Sequence, residues 1–267
     1  MLHLFSPEGD AALAAVMRRR PVLGFDFDGT LAPIVSHPDD ACIPAPVAER
    51  LRELAAVCPV VVVSGRSVAD LRGRLGFEPR HVVGGHGAED PGNALAAAAV
   101  ESHVEALHPL REHLYRHAAD LAASGVTLED KQVSLALHYR RARSPVRARA
   151  LLQRLLEPAP KGVRIFGGKR VFNATALDAP DKARAMHDLV RRCGADCALF
   201  AGDDVNDEPV FESAPPDWLT VRVGRGDSRA RFYIDGPQQM GELLERTWRA
   251  LQAGQSVQSA HAPVRSP

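Results

Sequence analysis

Two aspartates stand two residues apart after an apolar run, in the segment GFDFDGT. The run over 21–27 predicts a buried strand, and alternate residues of a strand point the same way, so Asp26 and Asp28 are expected to face one small volume. At about 5 to 6 Å and an effective dielectric near 20, the repulsion of two carboxylates is on the order of 3 kcal/mol, which a cation or a proton offsets. The pair indicates a metal site, an acid and base pair, or both. The structural alternative is a turn in which Asp28 caps a helix.

A second acidic cluster follows the late apolar run CALFA, in the segment GDDVNDE. It contains Asp203, Asp204, Asp207 and Glu208. Crowded carboxylates favour a hard cation, and Mg2+ is held by one or two carboxylates together with water and a phosphate oxygen. A calcium loop of the EF-hand type needs a central glycine, which the segment DDVNDEPVFESA lacks. A solvated acidic turn that caps a helix is the alternative.

Two further polar residues could bind a phosphoryl group. Ser64 ends the apolar run VVVV, and Lys182 stands where a helix is expected to begin. Each alone is a weak signal, because serine commonly caps helices and lysine is usually exposed, but together they supply a hydroxyl and an ammonium for a phosphate dianion. The chemistry that fits is phosphoryl transfer, with Asp26 as the nucleophile that becomes an aspartyl phosphate. Asp28 would protonate the leaving oxygen and later take a proton from the attacking water.

These residues require strands that end at one edge of a sheet. Apolar runs alternate with amphipathic stretches, in the order strand 21–27, helix 46–57, strand 59–63, helix 67–75, and later helix 181–193 and strand 197–201. This alternation predicts a parallel sheet covered on both faces, which binds its ligands beyond the carboxyl ends of the strands.

A different pattern interrupts this alternation. A helix near 100–122 precedes the strand-like runs VTLED and QVSLALHYR, and a helix near 146–156 precedes VRIFG and KRVFNAT, which a Gly-Lys turn joins. The order α-β-β-α-β-β predicts an inserted antiparallel α+β domain. The fold class is therefore α/β, with a Rossmann-like parallel-sheet core over 1–103 and 175–251 and the insertion over 104–174. Residues 252–267 are small and polar, which predicts a disordered tail.

Composition excludes several classes of partner. The 267 residues contain 33 Lys and Arg and 33 Asp and Glu, so no overall field favours nucleic acid or an anionic membrane. No run of 18 apolar residues occurs and the N-terminus lacks a signal-peptide core, which predicts a soluble, cytoplasmic protein. Four cysteines are too sparse for a disulfide framework. Cys193 and Cys197 lack partners for a metal site, so buried thiols without a further role are expected.

The segments DFDGT, VVVVSGR, the lysine at 182 and GDDVNDE occur in this order, and together they resemble the four motifs of the haloacid dehalogenase superfamily of phosphohydrolases. The resemblance covers about residues 20–245. In that superfamily an acid at the position of Asp28 is typical of phosphatases, whereas the transport ATPases carry threonine there. The resemblance therefore implies hydrolysis of a phosphate ester.

The same resemblance implies a set of magnesium ligands. They are the Asp26 carboxylate, the Asp28 backbone carbonyl and Asp203, with Asp204 and Asp207 as nearby supports. The resemblance does not distinguish the roles of Asp204 and Asp207.

The inserted domain resembles the cap of the sugar-phosphatase branch, which implies closure over a small sugar phosphate and exclusion of water. Three stretches are similar to the patterns of the trehalose-6-phosphate phosphatase family, namely GGHGAE (84–89), EDKQVSLALHYR (129–140) and GGKRVFN (167–173). Sugar hydroxyls need donors and acceptors on a rigid frame, and the candidate contacts are Arg66, Glu89, Lys131, His138 and Asn173.

Some of these candidates have simpler interpretations. Arg66 could pair with a helix carboxylate, His138 could be a satisfied strand histidine, and Lys131 could form a turn pair with Glu129. His86 is expected to orient its loop.

Asn173 departs from the family pattern, which has a glutamate there that holds a glucose hydroxyl. The amide loses a charge-assisted hydrogen bond worth about 1.5 to 3 kcal/mol. Other glycosyl phosphates, such as sucrose 6-phosphate or a mannosylglycerate phosphate, are therefore alternative substrates. A non-catalytic sugar-phosphate sensor and a phosphomutase are the alternatives from other functional classes.

Overall fold

This computed structural model describes residues 1–35 and 37–260 of the chain. The described part contains eleven strands and nine α-helices. In chain order the strands are β1 (Leu2–His3), β2 (Pro21–Phe25), β3 (Val60–Val63), β4 (His81–Val83), β5 (Thr127–Asp130), β6 (Ser134–His138), β7 (Val163–Gly168), β8 (Val171–Ala176), β9 (Cys197–Gly202), β10 (Leu219–Val223) and β11 (Phe232–Ile234). The helices are α1 (Pro7–Met17), α2 (Ala45–Ala55), α3 (Val68–Arg72), α4 (Ala94–Arg116), α5 (Ala118–Ala123), α6 (Pro145–Leu156), α7 (Lys182–Arg192), α8 (Glu208–Ser213) and α9 (Met240–Ala260).

Seven of the described strands form one sheet, in the order β1-β11-β10-β9-β2-β3-β4, and all neighbours run parallel. Every residue of β2, β3 and β9 is buried, as expected where helices cover a parallel sheet. Helices α1, α2 and α7 contact these central strands. The predicted parallel-sheet core is confirmed.

The parallel strands bring the predicted polar groups to one edge of the sheet. Asp26 directly follows β2, and its N–H donates to the carbonyl of Ala201 in β9 at 3.0 Å, so the pairing continues one residue past the strand. Ser64 directly follows β3 and donates its N–H to the carbonyl of Val83 at 2.9 Å. Asp203 directly follows β9. Three functional candidates therefore start from the ends of three adjacent strands.

The insertion forms its own antiparallel sheet, in the order β5-β6-β8-β7 within the described residues. We call the segment from α4 to β8 the cap. The predicted α-β-β-α-β-β order is present, except that the long helix is divided. His117, at φ −100° and ψ 15°, leaves helical geometry and separates α4 from α5. Asn173 lies in mid-sheet, opposite Ala136 of β6 and Phe166 of β7.

The ends of α4 and β8 bear on where the cap begins and ends. Helix α4 begins at Ala94, because the side chain of Asn93 accepts hydrogen bonds from the N–H groups of Leu95 and Ala96. Positions 104 and 174 therefore lie within α4 and β8. We propose that the chain enters the cap near 94 and leaves it near 176.

The cap has an apolar core of its own. Leu107, Leu110 and Leu114 of α4 pack with Leu135 and Leu137 of β6 in a cluster separate from the core around the main sheet. This spacing of the leucines places them on one face of the helix. The cap is thus built to fold around its own contacts.

The C-terminal helix extends further than the sequence predicts. Helix α9 continues to Ala260 and so enters the stretch that was assigned to a disordered tail from residue 252. Alanine and glutamine, which are frequent in this stretch, are good helix formers. Residues 261–267 lie outside the described residues.

The thiols and the helices of the described chain can each be characterised further. All four cysteines are free thiols, and burial raises the pKa of Cys58 to about 12 and that of Cys197 to about 11. Over the residues that the structure describes, no helix has the length and apolar character needed to cross a bilayer.

The separate core of the cap leads to a stability prediction. Leu107 is 0% exposed, so Leu107→Ala is expected to lower the free energy of unfolding by about 2 to 5 kcal/mol through lost packing and a cavity. Leu95 lies on the same helix but is 83% exposed. Leu95→Ala should therefore change the free energy of unfolding by less than about 0.5 kcal/mol. Urea unfolding measures both values. Equal losses in the two variants would contradict the assigned core.

Candidate active site

A cavity of about 270 Å³ lies between the carboxyl edge of the main sheet and the cap sheet. Ten of the twelve predicted site residues line it, namely Asp26, Asp28, Ser64, Arg66, Lys131, His138, Asn173, Lys182, Asp203 and Asp204. The other two, Asp207 and Glu89, lie behind the lining residues. The two halves of the protein thus supply one shared site.

Three carboxylates converge at the base of this cavity. Asp26, Asp203 and Asp207 each offer an oxygen within 4.8 Å of the others, and all three residues are buried. Burial raises the pKa of Asp26 well above its usual value, and the ammonium of Lys182 opposes that rise. We call these three residues the acidic trio. Such crowding is stable only if positive charge lies close by.

Lys182 supplies one of the positive charges. It is the first residue of α7, and its Nζ lies 2.9 Å from Asp26 Oδ1 and 2.8 Å from Asp207 Oδ1. The helix starts here because the side chain of Asp181 accepts a hydrogen bond from the N–H of Arg184 at 2.9 Å. Although burial lowers the pKa of Lys182, the charges of Asp207 and Asp26 raise it above its usual value. The lysine therefore remains an ammonium.

The two carboxylate oxygens of Asp203 differ in their contacts. Its Oδ2 pairs with the ammonium of Lys169, whereas its Oδ1 is buried and has no hydrogen-bond partner among the described residues. Burial raises the pKa of Asp203 to about 6, and the charge of Lys169 opposes this. An unpartnered carboxylate oxygen within a buried acidic trio fits a hard divalent cation, which prefers oxygen ligands.

The structure distinguishes the two aspartates that were both expected to support the metal. Asp207 belongs to the acidic trio, whereas Asp204 faces the cap and accepts hydrogen bonds from the N–H groups of Val205 and Lys169. A capping turn separates them, because the N–H of Asp204 donates to Asp207 Oδ2 at 2.9 Å. Only Asp207 is placed to share a cation with Asp26 and Asp203.

Arg66 holds the side chain of Asp28. It donates from Nε to Asp28 Oδ2 at 2.7 Å and from Nη2 to Oδ1 at 2.8 Å, and a third bond runs from Nη1 to Asp70 of α3 at 2.7 Å. Burial opposes the charge of Arg66, but the Asp28 and Asp70 carboxylates raise its pKa. Pairing with a helix carboxylate was the simpler interpretation of Arg66, and Asp70 is that partner. Arg66 also fixes Asp28 at the cavity wall.

The loop before the cap places a histidine under the cavity. His86 has a left-handed backbone (φ 60°), and its ring packs edge-on against Phe166 at 5.2 Å between centroids. Gly65 leaves room for the ring, since a Cβ there would lie 2.4 Å from it. Burial lowers the pKa of His86 well below its usual value, assisted by the charges of Lys182 and Lys131. The ring is therefore a neutral part of the cavity floor.

On the cap side, Glu129 links two of the predicted sugar contacts. Its Oε2 lies 3.2 Å from Lys131 Nζ and 2.9 Å from His138 Nε2. Burial opposes ionisation, but the hydrogen bond with His138 and the charge of Lys131 lower the pKa of Glu129 to about 2. Lys131 also donates to the carbonyl of Gly65 at 3.1 Å, which joins the cap to the core. Asn173 is 4% exposed, and its side chain interacts with the ring of His86 at the cavity floor.

Glu89 does not line the cavity, although a sugar contact was predicted for it. Its Oε2 accepts a hydrogen bond from the N–H of Val68 at 2.9 Å. A free N–H at the start of a helix needs such an acceptor, so Glu89 stabilises the beginning of α3.

Sequence reasoning also missed several residues that line the cavity. The clearest are Lys169, at the turn between β7 and β8, and Arg140, whose Nη1 donates to the carbonyl of Val35 at 3.2 Å. Both lie in stretches that were matched to family patterns, GGKRVFN and the final HYR of 129–140. Those family patterns are the sequence signal by which Lys169 and Arg140 could have been identified.

Three comparisons describe what the chain is similar to. Residues 24–231 match the sequence model of the trehalose-phosphatase family. A trehalose-phosphate phosphatase of Mycobacterium tuberculosis (strain ATCC 25618 / H37Rv) is 32% identical over 254 residues, which cover 88% of this chain and 63% of that protein. An uncharacterised glycosyl hydrolase of the same strain is 35% identical over 249 residues, covering 85% of this chain and 18% of that protein. The chain thus spans less than two thirds of the length of either relative.

A solved structure shares the fold. The C-terminal domain of trehalose-6-phosphate phosphatase from C. albicans superposes with a TM-score of 0.74 at 22% identity, covering 91% of this chain and 96% of that one. At this identity the similarity supports the architecture of core and cap.

The close contact between Gly29 and Asp203 leads to a prediction. A Cβ on Gly29 would lie 2.1 Å from Asp203 Oδ2, and its φ of +78° is unfavourable for other residues. Gly29→Ala should therefore displace Asp203 and weaken the binding of a divalent cation at least tenfold, measured by titration calorimetry. Gly224 is the control, because it has φ +95° but no atom within 4 Å of an added Cβ. If Gly224→Ala weakens metal binding equally, backbone strain rather than the contact is responsible.

Proposed function

Because the chain belongs to the trehalose-phosphatase family, we propose that it hydrolyses trehalose 6-phosphate to trehalose and phosphate. The observation that carries this proposal is the acidic trio with Lys182 at the base of a cavity that the cap closes. The family resemblance expected from the sequence motifs is confirmed. The cytoplasmic location expected from the sequence remains part of the proposal, and four free thiols fit a reducing compartment.

Asp26 is the proposed nucleophile. Its carboxylate would attack the phosphorus of the substrate, and the bond from phosphorus to the sugar oxygen would break as the aspartyl phosphate forms. The bond with Lys182 at 2.9 Å orients the carboxylate, and burial keeps bulk water away from it. In the second step water attacks the phosphorus, which releases phosphate and restores the carboxylate.

Asp28 is the proposed acid and base. It lines the cavity close to Asp26 in sequence and is half-exposed, so it can exchange protons with solvent between turnovers. In its protonated form it would donate to the leaving sugar oxygen, and as a carboxylate it would take a proton from the attacking water. The two bonds from Arg66 set the direction in which the carboxyl points.

Ser64 and Lys182 are the proposed phosphate contacts. Ser64 is buried at the end of β3, and its Oγ accepts a hydrogen bond from the N–H of Arg66 at 3.3 Å, which leaves its own O–H as a donor. Lys182 contributes a fixed positive charge 2.9 Å from the carboxylate of Asp26. A hydroxyl and an ammonium together suit a phosphate dianion.

The acidic trio is the proposed holder of Mg2+, with the backbone carbonyl of Asp28 as a further ligand expected from the superfamily. The ion would neutralise charge on the phosphoryl group during transfer. In this set Asp207 takes a more central place than the sequence predicted, and Asp204 a more distant one.

The cap supplies the proposed sugar contacts. Lys131, His138 and Asn173 line the cavity on the side opposite the acidic trio, together with Arg140. Their donors and acceptors match the hydroxyl groups of a sugar. Glu129 holds Lys131 and His138 in place through one carboxylate oxygen.

The nucleophile assignment is tested by Asp26→Asn. The amide cannot form the phosphoenzyme, so kcat for release of phosphate from trehalose 6-phosphate should fall by at least about 10³-fold. The circular dichroism spectrum should stay that of the wild type. Asp227 lies exposed in a loop away from the cavity, and Asp227→Asn should keep full activity. Activity of Asp26→Asn within tenfold of the wild type would refute the assignment.

Asn173 favours a second candidate, a phosphatase for another glycosyl phosphate such as sucrose 6-phosphate or a mannosylglycerate phosphate. The buried amide of Asn173, which interacts with the neutral ring of His86, stands where the family pattern has a carboxylate. Phosphate release over a panel of sugar phosphates distinguishes these substrates. A higher kcat/KM for another ester would replace trehalose 6-phosphate. Binding of a sugar phosphate without turnover would indicate a sensor. A rearranged sugar phosphate among the products would indicate a phosphomutase.

The role of Asn173 in this choice can be measured directly. Asn173→Glu restores a charge-assisted hydrogen bond worth about 1.5 to 3 kcal/mol, so kcat/KM for trehalose 6-phosphate should rise about tenfold or more relative to other esters. Asn173→Gln is the matched control, because glutamine has the length of glutamate without the charge. The same gain in both variants would mean that length rather than charge limits the wild type.

A further inference from the structure

The turn between β7 and β8 places the cap on the loop that carries Asp203. The N–H of Lys169 donates to Asp204 Oδ2 at 3.3 Å, and a Cβ on Gly168 would lie 2.9 Å from the same oxygen. The side chain of Lys169 then reaches past Asp204 to pair with Asp203 Oδ2. The cap therefore contacts a member of the acidic trio directly.

The two partners in this ion pair differ in how firmly they are held. The side chain of Asp203 is 3% exposed, whereas that of Lys169 is 45% exposed. A long, exposed side chain can leave an ion pair at little cost, because water solvates its ammonium. A buried carboxylate cannot lose its partner without another cation. Lys169 is therefore the partner that can be exchanged.

The charges of the site also indicate that Lys169 is exchangeable. The acidic trio carries three negative charges if fully ionised, and Lys182 is held between Asp26 and Asp207. Lys169 is the cation on the third member, Asp203. A divalent ion held by the acidic trio would lie near that ammonium, and two cations so close repel each other.

Two other cationic side chains of the cap reach the core without touching the acidic trio. Lys131 donates to the carbonyl of Gly65 at 3.1 Å, and Arg140 donates to that of Val35 at 3.2 Å. Neither contact involves a carboxylate of the acidic trio. Of these three contacts, the one made by Lys169 alone shares a ligand with the metal.

We propose that Lys169 is an exchangeable counter-ion of Asp203, so that metal binding releases the β7–β8 turn and docking of that turn weakens metal binding. Each event must oppose the other by the same factor, because the coupling of two binding equilibria is reciprocal. The inference rests on the metal site of the proposed function, but not on the identity of the sugar. It assigns Lys169 a role in the timing of cap release.

The test measures Mg2+ affinity and cap exposure in the full chain. Titration calorimetry with Mg2+ alone should show that Lys169→Met binds at least threefold more tightly than the wild type, since the competing charge is gone. Lys169→Arg retains the charge and should bind like the wild type. Lys161→Met removes an exposed lysine from the same cap and should also leave the affinity unchanged.

Hydrogen exchange gives an independent measurement. Saturating Mg2+ should increase amide exchange over residues 167–171 in the wild type, but not in Lys169→Met, where the turn is already released. Exchange over β6 should stay constant in both proteins and so report that the cap remains folded. Equal or weaker Mg2+ affinity in Lys169→Met, or a Mg2+-induced decrease of exchange at the turn, would overturn the proposal.

Hydrolysis of trehalose 6-phosphate by the same preparations separates this inference from the proposed function. A wild type that hydrolyses the ester while Lys169→Met gains no affinity retains the function and refutes the inference. A wild type that fails to hydrolyse it, while Lys169→Met binds Mg2+ more tightly, supports the inference and refutes the function. Absence of Mg2+ binding in every variant refutes the inference.

Discussion

The site depends on the mutual repulsion of three buried carboxylates. Asp26, Asp203 and Asp207 each place a carboxylate oxygen within 4.8 Å of the others, and Lys182 neutralises part of their charge. Burying like charges is costly unless cations and hydrogen bonds compensate, so much of the surrounding structure serves that compensation. The same arrangement of carboxylate oxygens fits a metal ion. Structure and proposed chemistry thus follow from one electrostatic constraint.

The fold meets this constraint through the ends of parallel strands. β2 and β9 are neighbours and point the same way, so Asp26 and Asp203 emerge side by side although they are distant in the chain. The first turn of α7 brings Lys182 to the same edge. Glycine at position 29 allows the backbone to approach Asp203 more closely than any side chain would permit. Each of these placements is a property of the main chain.

Much of this could be predicted from sequence, because periodicity and strand ends are local signals. The apolar runs predict β2, β3 and β9, and the polar residues that follow them converge as expected of a parallel sheet. The four motifs likewise predicted Asp26, Asp28, Ser64 and Lys182 as cavity residues.

Residues whose position depends on tertiary packing could not be predicted in the same way. Asp204 and Asp207 differ only through a capping turn, which sends one to the cap and the other to the acidic trio. Lys169 has the sequence context of an exposed turn lysine, and its contact with Asp203 exists because two distant loops meet. Glu89 was assigned to a sugar, whereas the free N–H at the start of α3 is what it binds.

The cap, from α4 to β8, is one continuous segment with its own apolar core. The residues proposed to contact the sugar lie on this segment, whereas those proposed to act at the phosphorus lie outside it. Substitutions within the cap can therefore alter the proposed sugar contacts while the nucleophile, acid and phosphate contacts proposed on the main sheet stay unchanged.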